Sequence, residues 1–150
     1  MLNNMKLRFF LMMTIFLVAS ACNRNNRHPV PYFQFDVTIN LNLPSYSPLM
    51  GVGGWAYLDN VGSRGVIIYR SSSNQFVAFD RHSPADEAGN CPTPLYPDAD
   101  NFFILRDDCN DALFSLLDGS PWTDSQYTDW GLRAYQTFYD GGTSLRINNP

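Results

Sequence analysis

Lysine is almost absent from this 150-residue chain: Lys6 is the only one, and beyond it basic charge comes from arginine alone. With a net charge of −4, such a chain offers no basic surface for a phosphate backbone, so nucleic acid is not an expected partner. Histidine and cysteine are scarce too, at two and three residues. His28 and His82 lie far apart, and two histidines with two cysteines expected to bridge each other do not readily make a conventional tetrahedral zinc site. There is no H-E-x-x-H pair, no G-x-S-x-G turn and no phosphate-binding glycine loop, which removes the common zinc-protease, serine-hydrolase and nucleotide-binding classes. Ser83 follows His82, but adjacent residues on an extended chain point to opposite faces and are poorly placed as nucleophile and base. Asp86 and Glu87 are neighbours in a loop and form no acid–base pair. No catalytic residue is expected, and no metal site.

What is present begins with an export signal. Lys6 and Arg8 form a short basic region, and Phe9 to Val18 is almost wholly apolar yet too short to span a bilayer comfortably. Ala19, Ser20 and Ala21 then meet Cys22, which resembles the lipobox of bacterial lipoproteins, although the usual leucine three positions before the cysteine is missing. Ala19 and Ala21 also fit an ordinary A-x-A cleavage site, and simple secretion is the alternative. The lipobox reading implies residues 1–21 as signal peptide and a diacylated Cys22 holding the protein on a membrane surface. Losing Lys6 and Arg8 would take the net charge from −4 to −6. Residues 22–31, polar and closing on Pro29 and Pro31, read as a flexible tether, and 32–150 as one domain. No acidic run of the kind that resembles a surface-export signal follows Cys22. The expected location is the cell envelope, on the periplasmic face of the outer membrane rather than on the inner membrane. In that oxidising compartment Cys91 and Cys109 are left as one pair, which exported chains usually bridge.

From Phe33 to Leu43 every odd position is apolar and every even one polar, the period of a half-buried strand. Shorter runs predict strands at Trp55–Leu58, Gly65–Arg70, Gln75–Asp80, Phe102–Arg106, Ala112–Leu117, Leu132–Tyr139 and Ser144–Ile147. Ser71–Asn74 and Asp140–Gly142 are hairpin signals. No window carries an amphipathic helical pattern, so the fold should be mainly antiparallel β. Ser83 to Ala99 is long, rich in turn residues and without strand period, and loops of that length in a compact domain tend to be functional or to descend from something functional.

The segments INLNLPSYSPL (Ile39–Leu49), GGW (Gly53–Trp55), GVIIYR (Gly65–Arg70) and, most closely, FVAFDRHSP (Phe76–Pro84) and FSLLDGSP (Phe114–Pro121) are similar to a group of Rieske-type lipoproteins. The family reads F-x-A-F-D-R-x-C-P-H entering the first cluster-binding loop, and C-P-x-H-G-S-x-F at the second. This register puts Ser83 and Ala85 on the first ligand cysteine and histidine, and Asp107 and Asn110 on the second pair. A Rieske centre needs two thiolates on one iron and two imidazoles on the other, and none of these four residues supplies either. Asp111 falls on the family glycine, and Ala112 on the serine that donates a hydrogen bond to the cluster. The third loop, Thr123–Trp130, lacks the family's Gly and Pro. Cys109 matches the non-ligand cysteine that ties the two loops together, with Cys91 as its partner.

The resemblance implies a Rieske-like antiparallel β sandwich or barrel with long apical loops that has lost its [2Fe-2S] cluster. The reading is a membrane-anchored structural or protein-interaction module with no cofactor, whose partner is another envelope protein. Two alternatives stand beside it: an electron-transfer protein that holds iron through unconventional ligands, and a glycan-binding envelope module using Trp122 or Trp130, with Trp55 assigned to the core. His82 as a replacement metal ligand, and calcium among Asp98, Asp100, Asp107, Asp108 and Asp111, are weaker readings than a hydrogen-bonded histidine and a solvated acidic loop.

Overall fold

The computed structural model describes residues 27–122 and 129–150. Cys22, the apolar segment before it and most of the loop Thr123–Trp130 lie outside these. Among the described residues no helix is long and apolar enough to cross a membrane.

The fold is mainly β and wholly antiparallel, as the alternating patterns predict. Among the described residues there are nine strands: β1 (Phe35–Asn40), β2 (Trp55–Leu58), β3 (Val66–Arg70), β4 (Phe76–Asp80), β5 (Tyr96–Pro97), β6 (Ile104–Arg106), β7 (Leu113–Ser115), β8 (Ala134–Tyr139) and β9 (Ser144–Asn149). Six form a sheet in the order β1-β9-β8-β4-β3-β2, and β5-β6-β7 form a second, smaller one. β1 is shorter than its alternation suggests, because Phe33 and Leu43 at the two ends of the pattern stay exposed. Leu43 leads instead into a 3-10 helix, Pro44–Met50, which has no apolar period to announce it. Gly54 joins this turn to β2, and a Cβ there would lie 1.7 Å from the Pro48 carbonyl oxygen, so only glycine fits. Inside the segment expected to lack strands, Tyr96–Pro97 pairs with β6.

The six-stranded sheet curls into a half-barrel around one core. Ile39 from β1, Leu145 and Ile147 from β9, and Ala56 and Leu58 from the opposite edge strand β2 all join it, with Leu49 of the 3-10 turn closing the end. The other face of β2–β3–β4 packs on the small sheet: Ile67, Tyr69 and Phe79 meet Leu105, Ala112 and Phe114 in a second core. β3 therefore has apolar neighbours on both faces, which is why VIIYR is a continuous apolar run rather than an alternating one. The tight loops after β3 and β8 fall on the two hairpin signals.

The expected tether of residues 22–31 is too long at its C-terminal end. Val30 is fully buried, Arg133 donates to its carbonyl at 2.7 Å, and His28 donates from Nε2 to the Gly131 carbonyl at 3.0 Å. His28 also meets the Trp130 ring edge-on at 5.4 Å, and burial pushes its imidazole below the usual histidine range. An isolated histidine among asparagines gives no hint of this, because its partners lie about a hundred residues away in the chain.

Candidate functional site

The two loops that the sequence reading singles out meet at one end of the second core, joined by a covalent bond. Cys91 and Cys109 form a disulfide with Cα atoms 5.8 Å apart. Cys91 is buried, while Cys109 reaches solvent.

Asp107 sits directly beneath this bond. Its side chain is nearly inaccessible, at 2% relative exposure, and every hydrogen bond it accepts comes from a neutral group. Oδ1 takes the Cys109 N–H at 2.9 Å and the Asn110 N–H at 3.3 Å, and Oδ2 takes the Asn110 side-chain amide at 3.0 Å. The Asp107 N–H donates to the Ala112 carbonyl at 2.9 Å, closing the loop. Asp is well suited to this, since its short carboxylate can cap the N–H groups just downstream. Asp111, at φ +52°, holds a left-handed backbone at the position matched to the family glycine.

The first loop is similarly self-contained. Ser83 is buried, and its Oγ accepts the Ala85 N–H at 3.2 Å. Ala85 packs against the second core, and Ala112 is fully inside it. Of the four positions matched to cluster ligands, Ser83, Asp107 and Asn110 thus spend their polar atoms on the loops, and Ala85 has none to offer. This donor set does not fit a [2Fe-2S] cluster, which needs thiolates and imidazoles free to bind iron. The loops meet through Cys91, whose Sγ touches Asp107 Oδ1 at 3.9 Å.

His82 has neither nitrogen free for a metal. Nε2 donates to the Asp86 carbonyl at 2.8 Å, so in the neutral ring Nδ1 accepts the Ser63 hydroxyl at 2.7 Å. The histidine's serine partner is therefore Ser63, not its sequence neighbour Ser83. The Ser63 and Arg64 N–H groups both donate to the Asp80 carboxylate, which leaves neither of them to stabilise an oxyanion. Asp86 accepts the N–H groups of Asn90 and Cys91, while Arg64 donates to the carbonyls of Gly89 and Cys91. Together they fix the course of the long loop up to the disulfide. No motif marks Ser63, Arg64 or Asp86; the one signal that could have drawn attention to this turn is its pair of glycines, Gly62 and Gly65, both at positive φ.

The acidic side chains do not converge on a calcium site. Asp98 is held by Arg106 at 2.6 Å, Asp108 accepts the Tyr96 hydroxyl at 2.5 Å, and Asp111 is exposed. Among the described residues, the one group of three potential metal ligands is Cys91, Asp107 and Cys109. Trp122 is partly exposed and Trp130 packs on His28. Trp55 is only half-buried, at the margin of the second core. Its ring lies 4.9 Å from that of Tyr57, and both line a groove of about 560 Å³ together with Gly53 and Gly54.

No protein-family model matches the sequence, and no curated protein matches it at a significant level. Among solved structures the chain is similar to one described as an NADH-dependent nitrite reductase small subunit from Mycobacterium tuberculosis. The two share 19% identity and a TM-score of 0.43, over 79% of this chain and 98% of that one.

Proposed function

We propose that this chain is a lipid-anchored cell-envelope protein, on the periplasmic face of the outer membrane. Its Rieske-like domain has no iron–sulfur cluster and serves as a non-catalytic structural or protein-interaction module. The observation that carries this reading is Asp107. It stands where the resemblance places a ligand cysteine, and its carboxylate is buried and committed to the N–H groups of Cys109 and Asn110. A loop that closes on itself in this way has the character of a rigid contact surface, and the Cys91–Cys109 bond holds both loops in one arrangement. The anchor at Cys22 follows from the sequence, and N-terminal mass spectrometry for a diacylated cysteine tests it separately. For the domain, the test is iron analysis and visible absorption of protein from an iron-replete host. Absence of [2Fe-2S] bands and of stoichiometric iron is expected. Their presence would return the protein to the electron-transfer class, and crosslinking in the native envelope then identifies the partner in either case.

A second reading rests on the groove lined by Trp55, Tyr57, Gly53 and Gly54, since an aromatic side chain in such a groove suits stacking against a sugar ring. Saturable quenching of tryptophan fluorescence by envelope polysaccharides, lost in Trp55→Ala, is its signature. A titration without saturation removes it.

A further inference from the structure

We propose that Cys91, Asp107 and Cys109 form a latent site for one thiophilic divalent cation, zinc above all, which opens when their disulfide is reduced. The site is independent of the interaction role, and it differs in ligands and nuclearity from a two-iron cluster.

Placement is the first support. The two sulfurs and a carboxylate oxygen all lie within 4.8 Å of one another. Ligands at about 2.3 Å for sulfur and about 2.1 Å for oxygen stand roughly 3.5 to 4 Å apart around a tetrahedral zinc ion. The carboxylate already stands close to Cys91, with Oδ1 3.9 Å from its Sγ, and the two sulfurs must move apart once their bond is cut.

The second support is how the carboxylate is held. The N–H groups of Cys109 and Asn110 and the Asn110 amide fix its orientation as outer contacts fix a metal ligand. Both lone pairs of Oδ1 are taken by the two N–H groups, while Oδ2 accepts a single hydrogen bond and keeps one lone pair free for an ion. The carboxylate is buried, and none of the ion pairs among the described residues includes it. A buried anion supported only by neutral donors gains from a cation beside it. Cys109 is exposed, which gives an ion a path in and leaves a fourth position for water.

The chemistry selects the metal. Two thiolates and one carboxylate favour zinc over magnesium or calcium, which take all-oxygen sites. In the opening step a dithiol reductant gives two electrons and two protons to the sulfur–sulfur bond. The protein then holds two thiols, and the reductant becomes a disulfide. Binding the cation replaces the two thiol protons, which leave to solvent.

The test uses the full chain in detergent, reduced with a phosphine under anaerobic conditions and titrated with cobalt(II) as the spectroscopic probe. One equivalent should produce a sulfur-to-cobalt charge-transfer band and strong visible bands. Zinc should abolish both, and the oxidised protein should show neither. The Cys91→Ser/Cys109→Ser double variant, which keeps Cys22, subtracts any contribution from that residue. Asp107→Asn keeps both thiols and should weaken cobalt binding at least tenfold. Absence of the band in reduced protein overturns the proposal, as does an Asp107→Asn affinity equal to that of the parent. Circular dichroism covers the case in which reduction unfolds the chain: cobalt should then restore the β signal, and failure to do so also overturns it.

Discussion

The Tyr135 hydroxyl donates to Asp80 Oδ2 at 2.5 Å, joining β8 to β4 inside the half-barrel. Asp80 is completely buried and also accepts the N–H groups of Ser63, Arg64 and His82, so one carboxylate fixes the 62–65 turn, β8 and the start of the long loop. Its removal strands four donors. Asp80→Ala should therefore cost about 3 kcal/mol or more, and Tyr135→Phe about 1.5 kcal/mol. In the Asp80→Ala background the tyrosine substitution should cost much less, because its partner has gone. Urea denaturation of the four proteins in this cycle measures the coupling; additive effects would mean that the hydroxyl is held by something else.

Burial first, and the Asp80 contact second, push the Tyr135 phenol far above the ordinary tyrosine range. A raised pKa on an acid that is neutral when protonated favours the folded state only while the phenol keeps its proton. This contribution is fully present below about pH 10, the unfolded value, and is lost as pH rises above it. Stability should fall more steeply between pH 9 and 11 in the parent than in Tyr135→Phe, by urea midpoints. Tyr57 and Tyr96 are raised too and remain in the variant, so its slope should be reduced rather than flat.

Reducing the disulfide, or replacing Cys109 by Ser, should lower stability by about 3 kcal/mol for a loop of this length. Asp86 and Arg64 hold the loop only as far as Cys91, so loss of the bond should free the second loop more than the first. Hydrogen exchange in the presence of a chelator should show faster exchange at the Cys109 and Asn110 amides, and little change at Asp86. Equal protection before and after reduction would show that Asp107 holds the second loop unaided.

Local pattern and tertiary circumstance divide what the sequence reveals. The alternation before Asn40, the continuous VIIYR run and the two glycine-containing or serine-rich hairpin loops each encode burial through short-range spacing, and each is legible. The 3-10 turn at Pro44–Met50 is not, since it is held by Leu49 in the core and by the Gly54 approach rather than by any period. The Cys91–Cys109 bond was legible by elimination and by resemblance alike. Ser63 was invisible, because a serine in a glycine turn matters only once β3 and β4 bring His82 beside it. Asp107 could be read as a missing thiolate, but its burial and its role as acceptor for the following turn depend on the packing of Ala112 and Phe114 behind it.

At the acidic end of the pH range Asp98 is the group to watch. Its hydrogen bonds to Arg106 and then to the N–H groups of Asp100 and Asn101 hold its carboxyl below the usual carboxylate range. A depressed pKa contributes stability above the unfolded value near 4, and the contribution is lost as pH falls through the folded value. Asp98→Asn should therefore be less stable than the parent at pH 7 and should converge with it toward pH 2, as measured by urea midpoints. Asp36 and Asp118 are depressed by their own partners and keep some acid dependence in the variant.

Asp111 tests whether the second loop has retained the backbone of its resemblance while changing its side chains. Its φ of +52° lies in the left-handed region, where an L-residue with a Cβ costs about 1 to 2 kcal/mol, less for Asp and Asn, and more for a β-branched residue. The side chain is exposed, so substitutions there report the backbone and little else. Asp111→Asn should be neutral within about 0.5 kcal/mol. Asp111→Gly should gain up to about 1 kcal/mol, because relief of the backbone cost outweighs the extra freedom glycine has when unfolded. Asp111→Val should lose about 1 to 2 kcal/mol. Chemical denaturation of the three variants gives the order, and a valine variant as stable as the glycine one would show that the left-handed turn is not required for the Asp107–Ala112 loop to close.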